Sequence, residues 1–157
     1  MRLVVLLDEF LRAKSNVIEQ GGLRLHSVYT WDDVPRGLLR VTMSGIDDPV
    51  QSLQFRVRGG RLRTAGHAGD HLVLWRDTAP AGLLLDVLPK RGQSSVALSF
   101  RNCWRVGEQM TTARRNAAMQ VETTEARLRF RCSDGVSELD LDDLVAEVRW
   151  EIGRAHV

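Results

Sequence analysis

The spacing of apolar positions changes once along the chain. Leu3, Leu7, Phe10, Leu11, Val17 and Ile18 recur at helical intervals and share a face, while Asp8, Glu9, Arg12, Asn16 and Glu19 fall largely elsewhere. This predicts one N-terminal helix within residues 1–22, stopped by Gly21-Gly22, because glycine adopts the left-handed backbone found at many helix ends. A competing reading makes Arg2 to Leu7 a short strand. From Leu23 onward the pattern shortens to β-like segments: residues 25–30, 38–43, 52–58, 71–76, 83–88, 95–105, 118–122, 126–131 and 144–151. Their separators include residues 32–37, Asp47-Asp48-Pro49, Gly59-Gly60 and residues 89–92, all rich in residues that preset or permit turns. Many short strands without helical stretches between them predict an all-β fold. The expected form is an antiparallel β-sandwich or jelly roll over residues 23–153, with about eight or nine strands. Residues 154–157 read as a tail, and Trp31, Trp75, Trp104 and Trp150 as core or rim.

Two strands alternate with particular regularity. In Gln54-Phe55-Arg56-Val57-Arg58 and in Arg127-Leu128-Arg129-Phe130-Arg131 the apolar side chains take one face and the charged ones the other. The arginine rows therefore lie on wet sheet faces. No aromatic residues interleave with them as a single-strand binding surface requires, so both rows read as solvated faces rather than polyanion sites.

At 157 residues with 43% hydrophobic content, the chain fits one domain with a buried core. Its formal net charge of +2 is too near neutral to indicate a nucleic acid or an anionic membrane as partner. Cys103 and Cys132 permit a single disulfide. The apolar run Leu3 to Leu7 is broken by Asp8 and Glu9, too early for a secretory leader, so a reduced, cytoplasmic setting is the expectation. No stretch has the apolar length needed to span a bilayer.

The most distinctive chemistry lies near the C-terminus, where Asp134, Glu138, Asp140, Asp142 and Asp143 place five carboxylates in ten residues before the strand Leu144 to Glu151. Such a cluster suits a hard cation such as Ca²⁺. Glu138, Asp140 and Asp142 alternate, which in an extended segment directs them to one side. The spacing is not that of an EF-hand. The plainer alternative is a solvated loop in which Asp142 or Asp143 caps a turn and opposes nearby arginines.

Ser133-Asp134-Gly135, the cluster through Asp143, Leu144 to Trp150 and Gly153 together resemble the C-terminal signature of the bacterial calcium-dependent fucose- and mannose-binding lectins. In that family an Asp-rich cluster holds two Ca²⁺ ions that bind sugar hydroxyls directly. The resemblance implies a small β-sandwich with Glu138, Asp140, Asp142 and Asp143 as ligands and a carbohydrate partner. This chain departs from the family by one extra residue after Gly135, by Leu141 in place of an aromatic, by Asp142 in place of Asn, and by residues 154–157 beyond Gly153. The match covers about twenty residues.

Two other clusters stand out. His67, Asp70 and His71 offer ligand or acid–base groups, but Gly66 and Gly69 oppose the helix that would bring the two histidines to one metal, and an ordinary turn explains them. Arg101, Asn102 and Arg105, within Phe100-Arg101-Asn102-Cys103-Trp104-Arg105, suit a small anionic or planar ligand, although period two also explains this segment as a core strand. Residues 107–119 read as a long polar loop. There is no phosphate-binding glycine loop, nucleophile elbow or Cys-x-x-Cys pair. The expected role is a non-catalytic binding or interaction module, with carbohydrate, another protein or a second copy of the chain as partner. A small enzyme built on the His67 region is the alternative.

Overall fold

The computed structural model describes residues 6–106, 109–111, 117–135 and 139–151. The chain opens with helix α1 (Leu6–Ala13), followed by strands β1 (Val17–Gln20), β2 (Leu23–His26), β3 (Tyr29–Pro35), β4 (Gly37–Gly45) and β5 (Gln51–Arg58). Then come β6 (Gly60–Thr64), β7 (His67–Gly69), β8 (His71–Trp75), β9 (Leu83–Pro89) and β10 (Ser95–Val106). Four more, β11 (Gln109–Thr111), β12 (Ala117–Thr124), β13 (Arg127–Asp134) and β14 (Leu144–Glu151), complete the described order.

Two antiparallel sheets result. Sheet A runs β1-β2-β12-β13-β14-β4-β9-β6-β7; sheet B runs β11-β10-β5-β8, with β3 also paired to β10. The all-β, sandwich-like fold with one short N-terminal helix is as the patterning predicts. Its core lies between the sheets, where Leu53, Phe55, Leu98 and Phe100 of sheet B meet Leu39, Leu85, Phe130 and Val148 of sheet A, all fully buried. The Phe100 ring packs 4.8 Å from Phe130 and 5.1 Å from Phe55, centroid to centroid, within the range of favourable aromatic contacts. Trp104 is fully buried, while Trp31 and Trp150 pack half-buried against the core.

Several boundaries differ from the sequence expectation. The helix ends at Ala13, not near residue 22: Lys14 turns into the left-handed region (φ 51°), and its amide and that of Ser15 bond back to the Leu11 and Phe10 carbonyls. Val17 and Ile18 then favour extended backbone, and Gly21-Gly22, both at positive φ, form the two-residue turn of a β1–β2 hairpin rather than a helix stop. Residues 29–35 are a strand reaching through the supposed turn to Pro35, because β10 supplies a pairing partner from Ser95 to Phe100. The segment expected as a polar loop includes β11 and the start of β12. No helix among the described residues is long and apolar enough to cross a membrane.

Candidate functional site

The two arginine rows meet different neighbours. Those of β13 lie between β12 and β14, which carry acids at matching register: Arg129 is opposite both Glu122 and Glu147. Ion pairs follow, Arg129 to Glu122 at 3.8 Å, Arg127 to Glu147 at 3.6 Å, Arg149 to Glu147 at 3.4 Å and Arg131 to Asp142 at 2.8 Å. Arg40 pairs with Glu151, and Arg63 with Asp86 at 3.0 Å. The outer face of sheet A around β12, β13 and β14 is thereby neutralised locally.

The row on β5 has no such partners. Arg56 faces Ser99 on β10 and His71 on β8, and Arg58 faces Ala97. Among the described residues, Lys14, Arg36, Arg56, Arg58, Arg61, Lys90, Arg91 and Arg101 are the cations without a carboxylate partner. All eight line a series of cavities in which each shares a lining residue with the next. Beneath α1, a groove of about 320 Å³ ends at Arg101, which also walls a cavity of about 70 Å³ beside Arg56. Arg56 leads to a space of about 230 Å³ shared with Arg58, and Arg58 to one of about 440 Å³ shared with Lys90. Lys90 opens onto a recess of about 510 Å³ with Arg36, Arg61 and Arg91. The result is a cationic furrow across the outer face of sheet B and on to the β6–β9 part of sheet A. Among the described residues, Asp32 and Asp33 are the carboxylates that line it, both where Arg58 meets Lys90. Thr30 and Ser99 add hydroxyls, their oxygens 3.1 Å apart.

The structure separates the predicted ligand-binding trio. Arg101 and Asn102 line the groove under α1, but Arg105 stacks on the Trp75 ring, 5.0 Å from its centroid, and pairs with Asp77 at 3.3 Å. Asn102 is buried and donates to the Ser133 carbonyl at 2.9 Å.

The acidic cluster is likewise divided. Asp134 and Asp143 are buried and adjacent, the Asp134 amide donating to Asp143 Oδ2 at 3.1 Å, and Gln51 Nε2 donates to Asp134 Oδ2 at 2.9 Å. Burial, together with the neighbouring Asp134 carboxylate, pushes the Asp143 carboxyl up to about 6. Asp140 and Asp142 are exposed. Residues 141–143 turn rather than extend, and Asp140 and Asp142 go to different partners: Asp140 Oδ1 accepts from the Asp142 amide at 2.9 Å, and Asp142 turns to Arg131. Glu138 lies outside the described residues. Among the described residues no three His, Cys, Asp or Glu side chains gather as metal ligands. The calcium reading gains no support from this geometry.

His67 and His71 fall on different sheets, β7 in sheet A and β8 in sheet B. His71 Nε2 meets the Gln54 side-chain nitrogen, and Gln54 Oε1 faces the Cys103 thiol at 3.7 Å. If the amide nitrogen donates, His71 accepts through Nε2 and carries its proton on Nδ1. Both cysteines are buried and unbridged, and burial, then Asp143, raises the Cys132 pKa so that it offers no thiolate.

Comparison with protein-family models, curated proteins and solved structures returns no match. The furrow's chemistry is therefore read from its own residues. Alternation made the β5 arginines visible in sequence, but Arg36, Arg61, Lys90 and Arg91 carry no local signal, since only the fold assembles them.

Proposed function

We propose that this chain is a non-catalytic binding module that takes a linear, phosphate-bearing polyanion along the sheet B furrow. One observation carries the reading: the described cations left without acidic partners all line a series of cavities in which each shares a lining residue with the next. Arginine suits this role because its guanidinium presents paired donors to phosphate oxygens. Arg56 and Arg58 stand two residues apart on one strand, about 7 Å, so their arms reach successive groups of an extended chain. The aromatic at the wall of the Arg56 cavity, Phe100, is fully buried, which leaves the polyanion to be held by charge and hydrogen bonds rather than by stacking.

Calorimetric titration with inorganic polyphosphate at several salt concentrations tests the proposal. Binding should be tightest at low salt and weaken linearly on a double-logarithmic plot, with about 0.7 of slope for each phosphate engaged if the chain behaves as a single-stranded polyanion. No binding at low salt would contradict it.

A further inference from the structure

We propose that the groove beneath α1 is a second site, specific for an amphiphilic anion with one carboxylate head and a medium-length apolar tail. Leu6 and Phe10 turn inward onto Ile18, Leu25 and Ala118, whereas Leu7 and Leu11, one turn apart, line the groove, with Leu11 66% exposed. A single exposed leucine is ordinary. Here two leucines at helical spacing join the Phe10 side chain in walling a cavity of about 320 Å³, a size that encloses small ligands.

The head group is set by charge. Lys14 and Arg101 both line the cavity, neither has a carboxylate partner among the described residues, and no described acidic side chain lines it. Lys14 holds the left-handed backbone that a residue other than glycine seldom adopts. The carbonyls that α1 would present there, those of Phe10 and Leu11, already accept from the Ser15 and Lys14 amides. Apolar wall and cationic rim together select a tail and an anionic head, a combination the polyanion furrow does not require.

Titration of the intact protein with decanoate, compared with acetate and with decyltrimethylammonium, reads this directly. Decanoate should bind, acetate should lack the tail contribution, and decyltrimethylammonium should bind at least tenfold more weakly. Leu11→Asp, at an exposed position, and the pair Lys14→Gln with Arg101→Gln should each weaken decanoate by roughly tenfold or more, the scale of one charge-assisted contact or one buried apolar side chain. Circular dichroism confirms the fold of each variant. Arg58→Ser, at a position that does not line the groove, should keep decanoate binding while weakening polyphosphate, so loss of both ligands is not the expected result. Equal binding of the cationic detergent, unchanged decanoate affinity in folded variants, or no decanoate binding while polyphosphate still binds would each overturn this site and leave the furrow reading standing.

Discussion

Asp143 shows how a single side chain couples the fold to pH. Its carboxyl rises from an ordinary 3.8 to about 6 in the fold, first through burial and then through Asp134. The folded state therefore binds more protons than the unfolded chain between about pH 4 and pH 6, and the contribution of this group to stability falls as pH rises through that window. Above about 6 it changes no further. Asp143→Asn keeps an oxygen for the Asp134 amide and removes the titration. Urea unfolding from pH 4 to pH 6.5 should show the native protein losing about 1–2 kcal/mol relative to the variant, because about 1.4 kcal/mol for each pH unit separating the folded and unfolded values is an upper bound that solvent screening reduces. Parallel stability profiles would contradict the assignment.

At the scale of elements, the sequence expressed much of the sandwich through alternation. The strand patterns around Phe55, Phe100 and Phe130 are clear because each buries one face. The β1–β2 hairpin was hidden: Val17 and Ile18 also fit the helical spacing that precedes them, and a Gly-Gly pair ends a helix as readily as it turns a hairpin. The partition of arginines was beyond reach for a different reason. It depends on which strands flank each row, and Glu122 and Glu147 flank β13 while Ser99 and His71 flank β5. The candidate site was legible at Arg101 and Asn102, and Arg105 separated because Trp75 and Asp77 hold it. The acidic loop carries its own test. Asp142 is held by Arg131, and Asp134 and Asp143 by each other and Gln51, so melting curves recorded with chelator and with millimolar Ca²⁺ should superimpose. A higher melting temperature in Ca²⁺ would show a native-state ion and restore the calcium reading.

For the whole molecule, a net charge of +2 conceals two unlike faces. Sheet A carries paired charges, each such surface pair worth little to stability. Sheet B and the adjoining β6–β9 part of sheet A carry cations that repel one another, a cost that a bound polyanion removes. The decisive measurement is polyphosphate affinity, across salt, for two double variants of equal charge change. Arg56→Ser with Arg58→Ser alters the furrow; Arg127→Ser with Arg129→Ser alters the matching row on sheet A. The first pair should weaken binding roughly tenfold or more and lower the salt slope by about 1–2, while the second should stay within about twofold of the native protein because those arginines lie outside the furrow. Equal losses from the two pairs would mean that overall charge governs binding and that the unpaired face of sheet B is not the site.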